Sequence, residues 1–209
     1  MPLLIPVGYR LYSQAGDYLG ELGQAYNYIL AGNGLWLEAE NAHMRARVLL
    51  APAEVRGLAP LVPEFTLKHG RLPADLWQGI CAVVGDVSQP EEEQFVAVIW
   101  TGRYMIAYPP QEGTPASVRF TAIPNTVLEV HTHPRMGAFF SSIDDLDEQG
   151  FKLYGVLGVK DGGPAVRLRL GIYGYFLDIP WSAVFEGPLG GWHDMVAEEG
   201  GDALVDNIQ

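Results

Sequence analysis

The chain has little cysteine, little positive charge and no long hydrophobic run. Its single cysteine, Cys81, excludes an internal disulfide and is typical of a reducing compartment, so we expect a cytoplasmic protein. Only 13 Lys and Arg residues stand against 25 Asp and Glu residues, and no basic cluster is visible, which argues against nucleic acid as a partner. No apolar run approaches the roughly 20 residues of a membrane-spanning helix. The N-terminus lacks the features of a signal peptide, so we expect no membrane association.

Hydrophobic residues make up 48% of the 209 residues, which is enough to form a packed core. In the N-terminal third, two apolar segments flank Asn33-Gly34, which is a hairpin signal, and residues 45–50 resemble another strand. Beyond residue 185 the composition turns to glycine, acids and scattered apolar groups. We therefore predict three parts: a β-rich N-terminal domain or annex over 1–70, a main domain over 71–185, and a C-terminal tail over 186–209.

The main domain alternates between helical and strand patterns. Apolar residues recur at helical spacing over 74–88, and Cys81 in that helix is predicted to fill core rather than act as a nucleophile. A shorter helix is predicted over 142–149. Strands are predicted at 95–100, 103–108, 117–122, 127–133, 153–159 and 166–180, with a loop over 109–116. This order of elements predicts an α+β fold.

One short stretch carries the candidate chemistry. His131 and His133 end an apolar strand, and their spacing places both imidazoles on one face, while Pro134 keeps His133 extended. Asp144 follows in the first turn of the predicted short helix. Two histidines, one aspartate and an open position are the ligand set of a catalytic zinc. Ser141 to Asp144 also forms a helix capping box, and both roles can hold at once.

This stretch resembles the JAMM (MPN-plus, JAB-domain) metalloprotease motif, His-x-His-Pro-x6-Ser-x-x-Asp, with each fixed position filled. A chance match somewhere in the chain is on the order of one in 10^5. The resemblance implies a JAB/MPN-like (cytidine-deaminase-like) fold for the main domain, a mixed sheet flanked by helices. The layout of a β-rich part followed by this motif also resembles the protein A family of the PRTRC plasmid cassette.

The resemblance also implies roles for individual residues. His131, His133 and Asp144 would bind Zn²⁺, and Ser141 would help to hold the oxyanion. A glutamate before the strand at 95–100 would be the general base. Glu93 lies closest to that strand, with Glu91 and Glu92 as alternatives. The family usually continues with a Gly-Leu-rich strand start, which this chain lacks.

The resemblance implies a zinc-dependent isopeptidase or peptidase that acts on the tail of a ubiquitin-like protein or on a short peptide. A ThiF-type, ubiquitin-activating-like enzyme is the implied partner. The alternative is a non-catalytic JAB-type module that binds a partner and keeps zinc only for structure. Near the motif, we expect Asp145, Asp147 and Glu148 to form an exposed helix face, and Phe139 and Phe140 to pack beneath the site.

Overall fold

The computed structural model describes residues 6–85 and 92–198. They form two compact units, the first ending at His69 and the second beginning at Gly70. About 49% of the described residues lie in strands and 13% in helices. The molecule is therefore dominated by β-sheet.

The first unit is a single six-stranded sheet of order β2-β1-β3-β4-β5-β6, in which only the β1–β3 pair is parallel. Its strands are β1 (Val7–Tyr12), β2 (Tyr18–Glu21), β3 (Tyr26–Ala31), β4 (Gly34–Glu40), β5 (Met44–Pro52) and β6 (Glu64–Leu67). Alternate residues of β3 are buried, and Ile29, Ala31, Trp36 and Leu61 form the core cluster. The predicted hairpin is present, with β3 and β4 joined through Gly32 and Asn33.

The second unit is built on a seven-stranded sheet. Its strands run in the order β14-β13-β12-β11-β7-β8, and β15 pairs with β13. The elements of this unit are α1 (Ala74–Val84), β7 (Phe95–Trp100), β8 (Tyr104–Ala107), β9 (Gln111–Thr114), β10 (Ser117–Phe120), β11 (Thr126–Thr132), α2 (Ser142–Asp147), β12 (Phe151–Lys160), β13 (Gly163–Ile172), β14 (Tyr175–Asp178), α3 (Trp181–Val184), β15 (His193–Asp194) and α4 (Met195–Glu198). Strands β9 and β10 form a separate hairpin.

The middle of this sheet is buried and positions the motif. Strand β11 pairs in parallel with β12 and antiparallel with β7, so both of its edges are hydrogen-bonded. The loop after β11 lies directly against β12: a Cβ at Gly158 would come within 2.6 Å of three backbone atoms of residues 136–138. Only glycine permits this approach, which sets the path of the chain from the strand toward α2.

The prediction of an α+β, JAB/MPN-like sheet flanked by helices is wrong. The described residues contain four helices of 11, 6, 4 and 4 residues, against fifteen strands in mixed and antiparallel sheets. The helix predicted over 74–88 is present as α1, which ends at Val84, with Gly85 following at φ 64°; residues 86–88 lie outside the described residues. The apolar stretches on either side of residues 161–162 form the ten-residue strands β12 and β13, which pair along their full length.

The predicted loop over 109–116 is also wrong, because it contains β9. The side chain of Gln111 accepts a hydrogen bond from the backbone N–H of Phe95 at 2.6 Å and donates one to the Phe95 carbonyl at 3.1 Å. The rings of Phe95 and Phe120 stack as well. These contacts attach the hairpin to the start of β7 and outweigh the local proline and glycine content.

The described part of the predicted C-terminal tail belongs to the second unit. Strand β15 pairs with β13, and Val196 in α4 is buried. Trp77 Nε1 donates to the Leu189 carbonyl at 3.1 Å. Residues 199–209 lie outside the described residues. None of the described helices is long and apolar enough to cross a bilayer.

Candidate metal centre

The end of β11 delivers both histidines to one place. His131 lies between Val156 of β12 and Phe95 of β7 in the strand register. His133 follows the strand, and its backbone N–H still donates to the Leu157 carbonyl at 2.7 Å. The two residues therefore keep the extended spacing that the sequence predicts.

Three side-chain atoms converge as a metal ligand set. Nε2 of His131 lies 3.2 Å from Nε2 of His133 and 3.3 Å from Oδ1 of Asp144. All three ligand atoms fall within 4.8 Å of one another. Ligands about 2.0 Å from a tetrahedral ion lie about 3.3 Å apart, so the two measured edges fit a tetrahedral site. These three residues could hold a metal ion.

The hydrogen bond made by Nδ1 of His133 leaves Nε2 as the nitrogen that can bind a metal ion. Its Nδ1 lies 3.3 Å from the Gly137 carbonyl oxygen, which can only accept a hydrogen bond. In that arrangement Nδ1 carries the proton, and Nε2 presents its lone pair toward His131 and Asp144. The loop that packs on Gly158 supplies the carbonyl, so the close packing described above also orients this ring.

Asp144 divides its carboxylate between the helix and the histidines. Its Oδ2 accepts a hydrogen bond from the Ser141 backbone N–H at 2.6 Å, and its own N–H donates to Ser141 Oγ at 3.3 Å. This is the predicted capping box at the start of α2. Oδ1 remains directed at His131, so the cap and the ligand position coexist on one side chain.

Burial keeps both imidazoles neutral near pH 7. It lowers the pKa of His131 to about 4, although Asp144 acts in the opposite direction. Burial also lowers the pKa of His133. Neutral imidazole is the form that binds metal ions.

The structure brings Glu93 to this cluster. Glu93 is only 7% exposed, and its Oε1 lies 4.0 Å from His133 Nε2. The Thr132 N–H donates to the Gln94 carbonyl and the Gln94 N–H to Thr132 Oγ1, which ties the residue after Glu93 to the histidine strand. Burial, and then the charge of Asp144, raise the pKa of Glu93 to about 7. Glu92 is exposed, and Glu91 lies outside the described residues.

These groups line a cavity of about 270 Å³. Its apolar wall combines residues of the β9–β10 hairpin, the loop after β11 and α2, among them Val118, Phe120, Met136, Phe139 and Ile143. Ser141 also lines the cavity. Phe139 does not lie beneath the site as predicted: it is 45% exposed, with its ring 4.9 Å from that of His133.

Sequence reasoning missed two charged residues behind the histidines. Asp145 and Asp147 are exposed as predicted, but Glu148 is only 9% exposed, which corrects the expectation for that residue. Its Oε2 accepts hydrogen bonds from Arg169 Nε at 2.9 Å and Nη2 at 2.6 Å. Burial raises the pKa of Glu148, while the charge of Arg169 and its two hydrogen bonds act in the opposite direction and favour the carboxylate. In the sequence, Arg169 stands within the apolar run that forms β13, and a cation at such a position indicates a buried acidic partner.

No protein-family model matches this chain, and no curated protein matches it significantly.

Proposed function

We propose that this protein is a zinc-dependent peptidase or isopeptidase of JAMM type. Its substrate would be the C-terminal tail of a ubiquitin-like protein, or a short peptide. The observation that carries the proposal is the convergence of His131, His133 and Asp144, with both measured edges at tetrahedral distances and the buried Glu93 4.0 Å from His133 Nε2. The match of these same positions to the JAMM motif supports it.

The donor set favours zinc. Two imidazole nitrogens and one carboxylate oxygen suit this borderline-soft ion, and three protein ligands leave a fourth position for chemistry. The chemistry that zinc supplies when bound is Lewis acidity, which polarises a carbonyl and lowers the pKa of water to about 7.

Glu93 is the proposed general base. In peptide hydrolysis, this group takes a proton from the attacking water and returns it to the leaving amine. A pKa near 7 suits both steps, because the carboxylate can accept a proton at neutral pH and the acid can release it again. The position of Oε1 beside His133 puts this exchange at the edge of the ligand cluster.

Ser141 is the proposed oxyanion donor. Its Oγ acts as the acceptor in the bond from the Asp144 N–H, so its own hydroxyl hydrogen remains able to donate. A hydroxyl at the cavity wall can then stabilise the negative charge that develops on the carbonyl oxygen. The apolar wall would hold an extended chain beside these groups and shield them from bulk solvent.

Cleavage assays with the full chain test this proposal. The zinc-loaded wild type is incubated with conjugates of ubiquitin-like proteins and with short fluorogenic peptides, beside Glu93→Gln and its matched control Glu92→Gln. We expect Glu93→Gln to keep one zinc per chain and to lose about 10²–10⁴-fold in rate. We expect the exposed neighbour, Glu92→Gln, to stay active. A fully loaded wild type that leaves the whole panel intact would show the peptidase proposal to be wrong.

A second candidate function is a partner-binding module with a structural zinc. It is favoured by α2, where Ile143 is 57% exposed and Leu146 75% exposed. Apolar side chains this exposed beside a cavity are typical of binding surfaces. Under this alternative Glu93→Gln changes nothing, whereas Leu146→Ser weakens association with a protein partner such as a ThiF-type enzyme.

A further inference from the structure

We propose that Glu148 and Arg169 are positioning residues that hold His131 in the tautomer required for metal binding. The inference rests on the metal centre of the proposed function, but it does not require that the protein cleaves a peptide. A metal-binding histidine usually donates its second ring N–H to a carboxylate or carbonyl, which fixes the tautomer and the ring orientation. His133 has such a partner in the Gly137 carbonyl.

For His131 the corresponding group is Glu148. Nε2 of His131 faces His133 and Asp144, while Nδ1 lies 3.9 Å from Glu148 Oε1. This separation is about 1 Å longer than an ordinary hydrogen bond, and a small rotation of the His131 ring toward the carboxylate would close it. Asp144 lies nearer, 3.3 Å from Nε2, and would become a ligand on that side; with an ion at Nε2 the ring proton is on Nδ1, and Glu148 is the carboxylate that accepts it.

Arg169 holds the carboxylate in place. Its Nε and Nη2 both donate to Glu148 Oε2, which leaves Oε1 directed toward the imidazole. The guanidinium itself lies between two aromatic rings, 3.8 Å from the centroid of Phe140 and 3.7 Å from that of Phe176. A cation enclosed in this way has little freedom to move, and neither has the carboxylate bound to it.

Anchoring of α2 to the sheet does not by itself account for Glu148. Arg169 Nη1 also donates to the exposed Asp145 at 2.6 Å, which already links the helix to β13. Burial of a second carboxylate carries a large desolvation cost, and buried ion pairs contribute little net stability. A contact with His131 accounts for the buried carboxylate of Glu148, because the exposed carboxylate of Asp145 does not face the imidazole.

The matched variants are Glu148→Gln and Asp145→Asn. Each variant replaces a carboxylate that accepts a hydrogen bond from Arg169 by an amide of the same shape. Only the carboxylate of Glu148 also faces His131. We expect Glu148→Gln to weaken zinc binding about 10–100-fold in a competition titration with a chelator. We also expect it to alter the electronic spectrum of the cobalt-substituted protein at saturation. Asp145→Asn should leave both unchanged. Equal effects in the two variants, or none in Glu148→Gln, would refute the positioning role.

A second measurement needs no substrate. Long-range ¹H–¹⁵N spectra of the zinc-loaded protein report the ring N–H of His131 in the tautomer with Nδ1 protonated, because the ion rather than a proton then lies between Nε2 and Asp144. We expect a downfield Nδ1–H proton signal, the mark of a hydrogen bond to a carboxylate, in the wild type and in Asp145→Asn, and an upfield move in Glu148→Gln. A wild-type Nδ1–H without that downfield shift overturns the proposal, even if Glu148→Gln fails to fold. A protein with the expected tautomer and zinc affinity that cleaves nothing would refute the peptidase function alone.

Discussion

Asp144 performs two separable tasks, and substitution can distinguish them. Oδ2 completes the capping box of α2, whereas Oδ1 faces His131 in the position proposed for a metal ligand. Asp144→Asn keeps an oxygen that can accept the Ser141 N–H but removes the negative charge. Asp144→Ala removes both. The two variants should therefore behave alike in zinc binding and differently in metal-free stability.

The magnitudes follow from the contacts. Without metal, Asp144→Ala loses one side of a capping box, about 1 kcal/mol, or roughly 3–5 °C in Tm for a unit of this size. Asp144→Asn should remain close to the wild type. For the proposed zinc site we expect the wild type to gain about 2.7 kcal/mol, roughly 10 °C, at zinc concentrations 100-fold above Kd, because only the folded state brings the three side chains together. Both variants should lose most of that gain.

Thermal unfolding in chelator and in zinc, followed by calorimetry, measures both effects. Asp147→Asn is the control, because this residue lies in the same helix and is exposed. If zinc raises the Tm of Asp144→Ala as much as that of the wild type, Asp144 is not a ligand. If Asp144→Asn is destabilised in chelator as much as Asp144→Ala, the capping argument is wrong.

Three further predictions concern the second unit. Burial raises the pKa of Glu93 from 4.5 to about 7, so this group makes the metal-free fold lose stability as the pH rises from about 4.5 to 7. Between pH 5 and 7 the fall in Tm should be shallower in Glu93→Gln, and an unchanged slope would contradict this. Gly158→Ala should destabilise by about 1–3 kcal/mol in urea unfolding, whereas Gly191→Ala, where a Cβ meets nothing within 4 Å, should not. Burial raises the pKa of the Cys81 thiol to about 11 from 9.0. At pH 8 an alkylating reagent should therefore label the native protein roughly 100-fold more slowly than the unfolded protein, and equal labelling rates would contradict the burial of this thiol.

The parts of the site that could be predicted depend on short-range geometry. Alternation along a strand places His131 and His133 on one face, and a capping box places Asp144 in the first turn of α2. Both rules involve residues within a few positions of one another. They place each side chain locally, whereas the packing of residues 136–138 against Gly158, a contact distant in sequence, sets the path of the chain that brings Asp144 to the histidines.

The parts that could not be predicted depend on distant partners. Glu148 looks like a surface residue of a short acidic helix until Arg169, 21 positions later, pairs with it. Residues 109–116 look like a loop until Gln111 attaches to Phe95. The error in fold class has a similar origin, because the motif covers about fourteen residues, while the balance of strand and helix is decided by pairing such as that of β12 with β13.

The location of the histidines on a central strand has a consequence for the handling of metal. Because β11 is hydrogen-bonded along both edges, the backbone around His131 cannot open without separating the sheet. Amide hydrogens at Thr132 and His133 should therefore exchange with solvent only through global unfolding, with or without the ion. Chelation would then empty the centre without melting its scaffold, unlike a zinc finger, and the same molecules could be reloaded without a refolding step.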